Sequence, residues 1–415
     1  MAAKARSAQS KSSRKKASSR SAAAPRARVA AEAVEVASAV VAPASEAAAA
    51  SHKKPTLDLS AVRTRIDAVD EQLQALLSER AKLAQAVGIS KNAEGRTVDF
   101  YRPEREAQVL RMALDRNNGP LRDEEVVRLF REIMSACLAQ QEPLKVAFLG
   151  PEGTFTQQAV LKHFGHSVRS LPLPSVDEVF HEVEAGSVDF GVVAIENSTE
   201  GMVINTLDRF LNSPVKICGE VELRIHHSLM GRMSSLSDVQ RVCSHQQALA
   251  QCRAWLDEHL PDVERLPVTS NAEGARRARD EKGTAAIAGE TAAEVYGLEL
   301  LARDIEDRSD NTTRFFVLGR KLFAPSGQDR TTLLISVGKT DSPGALFKLL
   351  QPFADHGISM TRIESRPSHK KKWDYVFFID IVGHAEDRHV SIALDALKKR
   401  ASLYRVLGSY PQSVL

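Results

Sequence analysis

The chain has 415 residues, 43% hydrophobic and 26% charged, with a formal net charge of +3 and 4 cysteines; at roughly 100 to 200 residues per domain, that is two to four domains. No stretch approaches the roughly 18 consecutive apolar residues of a membrane span, which excludes a transmembrane protein. Cys137, Cys218, Cys243 and Cys252 form no CxxC pair and have no His at zinc spacing, so neither a disulfide framework nor a structural metal is indicated, and a reducing cytoplasm is the expected setting.

Residues 1–55 hold eleven Lys/Arg against Glu32, Glu35 and Glu46, a charge of +8 that leaves −5 on the remaining 360 residues. The segment is rich in Ala and Ser and lacks Leu, Ile, Phe, Tyr and Trp, too little apolar area to offset the entropy of ordering. It reads as a disordered basic tail. Its acid-free first 28 residues also fit a transit peptide or a nucleic-acid arm, although no aromatic is present to stack on bases.

From Leu59 the pattern becomes Leu59, Val62, Ile66, Val69, Leu73, Leu76, Arg80, Leu83, Val87, with spacings alternating between three and four. This predicts one long helix with one apolar stripe. At nearly thirty residues it outruns the rest of a small module, so a partner chain is expected to cover it. Arg80 takes a seam position, and Lys91, eleven residues on, falls about 20° from the same line. Two cations on an apolar face call for an anion, unless they snorkel at the helix edge or pair internally.

A shorter helix is predicted over Pro103 to Leu114, with Glu104 and Glu106 in its first turn. A third starts near Pro120, with Asp123, Glu124 and Glu125 favouring its N-terminus. Val127, Phe130, Met134, Cys137 and Gln141 continue the three-four spacing and put the Gln141 amide on the apolar side. Three such helices over residues 56–143, with Arg80, Lys91 and Gln141 pointing inward and Arg63 near the start, resemble the all-helical chorismate mutase domain. The resemblance implies that Arg80, with Arg63 from the other subunit, grips the two carboxylates of chorismate through guanidinium forks. It implies further that Lys91 and Gln141 donate to the breaking ether oxygen, that Glu104 accepts from the substrate hydroxyl, and that Cys137 is a wall residue. A pericyclic rearrangement needs no nucleophile or metal; what helps is a rigid set of donors. Phe100 and Pro103, with Arg102 between them, stand where relatives can carry an Asp and an Arg.

After Pro143 short apolar runs end in polar clusters: Lys145 to Gly150 runs into Pro151–Thr154, Val188 to Ile195 into Glu196–Thr199, Arg241 to Cys243 into Ser244 and His245, and Thr284 to Ala288 into Gly289 and Glu290. Alternating strands and helices predict an α/β domain, residues 144–322, with ligands bound off the strand ends. The Gly150–Thr156 loop is neither GxGxxG nor GxxxxGK[ST], so no nucleotide cofactor is called for. Alone, Ser244 reads as an N-cap and Thr313 as a strand former. Together GPEGTFT (150–156), IENS (195–198), SHxxxxxQC (244–252) and TTRFFVLG (312–319), in that order, resemble prephenate dehydratase, a two-lobed α/β fold. Expulsion of carbon dioxide and the ring hydroxyl requires an acid beside that hydroxyl. The resemblance implies Thr313 there, helped by a network of Glu196, Asn197, Ser244 and Gln251. Arg314 is expected to meet a substrate carboxylate or to pair with Asp310, and His226, His227 and His245 to be satisfied structural residues.

Residues 330–411 read strand, helix, strand, strand, helix, strand: a ferredoxin-like βαββαβ α+β domain with helices on one face. Gly344, Ala345 and Leu346 at the first strand-to-helix corner, and Glu364, Ser365, Arg366 and Pro367 at the end of the second strand, resemble the ACT regulatory domain attached to prephenate dehydratases. This implies phenylalanine bound between paired subunits; read without the resemblance, Gly344 permits a turn and Glu364–Arg366 is a surface pair. The reading that follows is a bifunctional enzyme acting on chorismate and prephenate, inhibited by phenylalanine and assembled as a homodimer or larger. It needs no cofactor and no metal, and nucleic acid is not an expected partner. A non-catalytic amino-acid sensor is the alternative, which loss of Thr313, Arg80 and Lys91 would favour; all three are present.

Overall fold

The computed structural model describes residues 58–93, 101–337, 343–368 and 375–414. Two compact units divide the chain, Met1–Ile66 and Asp67–Leu415; the described part of the first is Asp58 and the opening turns of helix α1 (Leu59–Ala93). Further along α1, Val69, Leu73, Leu76, Leu83 and Val87 are between 48% and 62% exposed, so the apolar stripe predicted from the spacing exists and is left open to solvent. Helix α2 (Pro103–Asp115) starts with Pro at its first position, where the missing N–H costs nothing, and has Glu104 and Glu106 in its first turn. Helix α3 (Asp123–Ala139) opens on three acids, which complement the positive end of the helix dipole.

The chain then builds a first lobe from β1 (Lys145–Leu149), α4 (Phe155–Phe164), β2 (Arg169–Leu173), α5 (Val176–Ala185), β3 (Phe190–Asn197), β4 (Gly201–Met202), α6 (Ile204–Phe210) and β5 (Lys216–Arg224). A second lobe follows: β6 (Ser228–Gly231), β7 (Arg241–His245), α7 (Gln246–Gln251), α8 (Arg253–His259), β8 (Glu264–Val268), α9 (Asn271–Asp280), β9 (Thr284–Ala288), α10 (Glu290–Tyr296) and β10 (Glu299–Ala302). Strand β11 (Thr312–Gly319) returns to the first lobe. The sheets run β2-β1-β3-β11-β5 and β10-β6-β9-β7-β8. The chain therefore crosses between lobes twice, at 225–227 and at 303–311, and the two crossings meet where β3 ends. Each sheet is mixed, because β11 is antiparallel to both its neighbours and β6 is antiparallel to β9. Side-chain caps set several helix starts: Thr154 accepts from the Gln157 N–H, Ser175 from Glu178 and Ser270 from Glu273, each satisfying a donor the helix cannot.

The C-terminal elements are β12 (Asp329–Ser336), α11 (Ala345–Asp355), β13 (Met360–Pro367), β14 (Tyr375–Val382), α12 (Arg388–Arg400) and β15 (Leu403–Pro411), with sheet order β13-β14-β12-β15. The helices cover one face, where Leu333, Ile379, Leu394 and Phe353 pack. The other face joins the first lobe: Leu334, Phe378, Leu407 and Tyr410 share a core with Ile217, Phe316 and Phe210. Gly408 allows this approach, since a Cβ there would lie 2.0 Å from the Ile217 carbonyl oxygen. The helical module is fused in the same way, because Tyr101 and Leu138 pack into the core formed by Phe148, Phe164 and Phe315.

Candidate active sites

In the helical module Arg80 is half-buried on α1. Glu104 is 4% exposed; Arg102 binds one carboxylate oxygen at 2.6 Å, and Oε2 is buried without a partner. That open acceptor fits a hydroxyl donor. Cys137 is buried in α3. Gln141 differs from expectation: α3 stops at Ala139, so Gln141 lies past the helix end, and its Nε2 donates to the Ala84 carbonyl at 2.7 Å. In the single chain this amide ties α3 to α1. The Lys91 side chain lies outside the described residues.

Between the lobes is a cleft of about 300 Å³, lined among others by Phe155, Asn197, His227, His245, Gln251 and Thr313. Asn197 ends β3, and its Oδ1 accepts from the Thr199 and Glu200 N–H groups at 3.0 Å each. This fixes the amide so that Nδ2 faces β11, donating to Asn311 Oδ1 and Thr313 Oγ1, both at 2.8 Å. Because Thr313 Oγ1 accepts there, its own O–H is free to donate into the cleft. The network continues: Asn311 Nδ2 donates to Gln251 Oε1 at 3.4 Å, and His227 Nε2 donates to the same oxygen at 2.8 Å. Burial lowers the His227 pKa, which keeps the ring neutral. Its Nδ1 and the Gln251 Nε2 are buried with no partner.

Of the expected network, Asn197, Gln251 and Thr313 are brought together, and two members are not. Ser244 is fully buried and spends its hydroxyl on the Ile287 carbonyl at 2.6 Å; it also lies 3.0 Å from Asn271 Oδ1, which accepts from the His245 N–H. It holds the lining residue Asn271 and does not face the cleft. Glu196 sits on the opposite face of β3 from Asn197, because side chains alternate along a strand, and its nearest cation is Arg362 at 3.7 Å. Arg314 likewise points away from the cleft and binds Glu220 and Asp380, while Asp310 pairs with Arg308; the expected Arg314–Asp310 pair is not formed. His226 is satisfied as expected, by Glu306 at 2.8 Å. His227 keeps Nδ1 without a partner among the described residues, and with Asn311 it is a lining residue of the network that sequence reasoning missed. The adjacent pair His226–His227 at a strand end was the only local signal.

In the C-terminal domain Gly344 has φ +77° and caps α11, a left-handed conformation that suits Gly; Ala345 and Leu346 form the helix's first turn. Glu364, Ser365, Arg366 and Pro367 end the edge strand β13. Arg366 forks onto Asp208 of α6 at 3.0 and 3.1 Å, so the Glu364–Arg366 surface pair is not formed.

A helical module, a two-lobed domain with a polar cleft at the lobe crossings, and a βαββαβ sheet define a multidomain enzyme with an attached regulatory module. Family models match in the same order: chorismate mutase type II over residues 62–142, prephenate dehydratase over 146–322 and the ACT domain over 331–398. The bifunctional chorismate mutase/prephenate dehydratase of Pseudomonas aeruginosa is 54% identical over 361 residues, covering 86% of this chain and 98% of that protein. This chain belongs to the bifunctional chorismate mutase/prephenate dehydratase family. Among solved structures, prephenate dehydratase from Arthrobacter aurescens in complex with L-Phe is 38% identical, with TM-score 0.60, covering 65% of this chain and 90% of that one. A protein described as a quorum-quenching acylase, GqqA, is 32% identical, with TM-score 0.59 and coverage of 65% and 98%. The fold therefore accompanies more than one described activity, and the reaction must be argued from the cleft.

Proposed function

We propose that the chain rearranges chorismate to prephenate in its helical module and converts prephenate to phenylpyruvate in the interlobe cleft, as two steps of L-phenylalanine biosynthesis in the cytoplasm. The observation that carries the second step is the free O–H of Thr313, polarised by a donor that the backbone holds in place. When the ring carboxylate leaves as carbon dioxide, its C–C electron pair enters the ring, the C–O bond to the hydroxyl breaks, and the departing oxygen takes a proton. Thr313 donates the hydrogen bond to that oxygen, with Asn197 fixing its direction, and passes its proton to the oxygen so that water leaves; the threonine oxygen then regains a proton from solvent. His227 and Gln251 extend the network and offer unspent polar atoms to substrate. For the first step, Arg80 and Lys91 of one chain, with Arg63 of a second copy, hold the carboxylates and the ether oxygen, and Glu104 takes the hydroxyl. Gln141 joins them by releasing Ala84. The open stripe of α1 supports a homodimer as the assembly that completes this site.

Phenylalanine is the proposed effector, at Gly344–Leu346 and Glu364–Pro367, a reading supported by the ACT match and by the L-Phe complex of the Arthrobacter relative. The deciding experiment follows chorismate loss and phenylpyruvate formation separately. Arg80→Ala removes chorismate use and spares prephenate dehydration. Thr313→Ala does the reverse, lowering kcat/KM for prephenate by about 10²- to 10⁴-fold. If either change removes both activities from folded protein, the two-site assignment is wrong.

A further inference from the structure

Six charged side chains lie between the first-lobe sheet and the C-terminal sheet. Arg314 of β11 donates to Glu220 of β5 from Nη2 at 2.7 Å and Nε at 2.9 Å, to Asp380 of β14 from Nη1 at 2.7 Å, and to the Tyr410 hydroxyl of β15 at 3.2 Å. Arg330 of β12 shares Glu220. Arg362 of β13 reaches Asp380 at 3.5 Å and Glu196 of β3 at 3.7 Å. Thr332 donates to the other Asp380 oxygen at 2.7 Å. Glu220 and Asp380 are 3% and 1% exposed. Burying ions is costly even when they are paired, so a buried network of this kind is weak evidence for stability and invites another role.

Two members are chain neighbours of the cleft residues: Arg314 follows Thr313, and Glu196 precedes Asn197. Opposite each other in register are Thr313 with Asn197 and Arg314 with Glu196; the register then slips, so that Phe315 faces Ala194. The slip interrupts the ladder just below the cleft, where a strand bends most easily. Arg314 is the residue that clamps β11 on the cleft side of that slip. Its anchor, Asp380, belongs to the C-terminal sheet, as does Arg362, two residues before Glu364 on the same face of β13.

We propose that Arg314 is a positioning residue for the dehydration step: its fork onto Glu220 and Asp380 sets the direction of the Thr313 hydroxyl, and through Asp380 the C-terminal domain holds that direction. The proposal rests on the reading of Thr313 given above. A lysine at 314 keeps the charge but cannot span Glu220, Asp380 and Tyr410 together.

The full-length protein with Arg314→Lys is tested with prephenate, with chorismate and by amide hydrogen exchange. The expected result is a fall in kcat for prephenate of about ten-fold or more, since a small misplacement of a reacting group is costly. KM changes by less than about two-fold, because Arg314 does not touch substrate. Chorismate turnover is unchanged, and exchange quickens together in segments 312–319 and 375–382. Asp380→Asn, remote from the cleft, lowers kcat in the same way, and the double variant is no worse than the more damaging single one, as for residues of one unit. A raised KM with kcat retained would make Arg314 a substrate ligand and overturn the proposal. So would unchanged kcat in folded Arg314→Lys. If that variant does not fold, unchanged kcat and exchange in Asp380→Asn overturn it. If the wild-type protein does not dehydrate prephenate, the functional reading fails instead; exchange then judges the clamp, and slow β11 exchange unaltered by Arg314→Lys sinks it.

Discussion

Replacing Glu106 by Gln should stabilise the protein at alkaline pH and do far less at acid pH. Glu106 lies in the first turn of α2 with its side chain 17% exposed, and its nearest cation, Arg131 Nε, is 3.8 Å away, too far for a hydrogen bond. Burial outweighs the attraction of Arg131 and pushes its pKa from 4.5 up to about 7. A folded-state pKa above the unfolded one gives stability that is complete below pH 4.5 and lost as pH rises through 7. The full span is 2.5 pH units, worth about 3 kcal/mol. Gln mimics the protonated acid, so its advantage over wild type grows by about 2.5 kcal/mol between pH 5 and pH 8. Close by, Tyr101 hydrogen-bonds His163 Nε2 at 3.0 Å, and burial, then Arg131, pulls the His163 pKa down to about 3. That histidine weakens the fold as pH falls below 6.5, but it does so in both proteins and cancels in the comparison. The assay is the unfolding midpoint of each full-length protein at the two pH values. An equal difference at both, or a less stable variant at pH 8, would show that Glu106 is ionised in a working ion pair with Arg131 and refute the reasoning.

Two further outcomes follow from the open surfaces. Leu76→Glu places a charge in the exposed stripe of α1; burial of a leucine is worth about 1.5–3 kcal/mol per side, so sedimentation should show weaker self-association by at least about 100-fold. Chorismate turnover should fall with it while prephenate dehydration persists; an unchanged assembly would mean that α1 is not the contact. Glu364→Ala should raise the phenylalanine concentration needed for half-inhibition of dehydration by about ten-fold, as loss of one charged hydrogen bond allows, and unaltered inhibition would remove Glu364 from the effector site.

Much of this protein is legible in its sequence because the informative signals are local. The three-four spacing from Leu59 to Val87 specifies a helix and its stripe without reference to any other element, and the open stripe is a face that nothing among the described residues covers. The order of strands and helices from 330 to 411 specifies the ferredoxin-like sheet in the same way. For Glu196 and Arg314 the motif places residues side by side in sequence that the strand places on opposite faces. Neighbouring residues on a strand point to opposite faces, so strand geometry alone already parts Glu196 from Asn197 and Arg314 from Thr313. Gln141 continues the three-four spacing of α3 but lies two residues past the end of that helix. Ser244 and His227 could not be read locally at all: the first is claimed by a carbonyl 43 residues away on β9 and the second by an amide 24 residues away on α7. Such pairings are settled by sheet order and lobe crossing, which no window of sequence contains. The misplaced residues are nonetheless not idle. Glu196 and Arg314 turn from the cleft toward the C-terminal sheet, Arg314 by alternation with Thr313 and Glu196 by the register slip that skips Ile195, and there they meet Arg362 and Asp380; on the proposal above, this makes them the groups through which the sheet acts on Asn197 and Thr313.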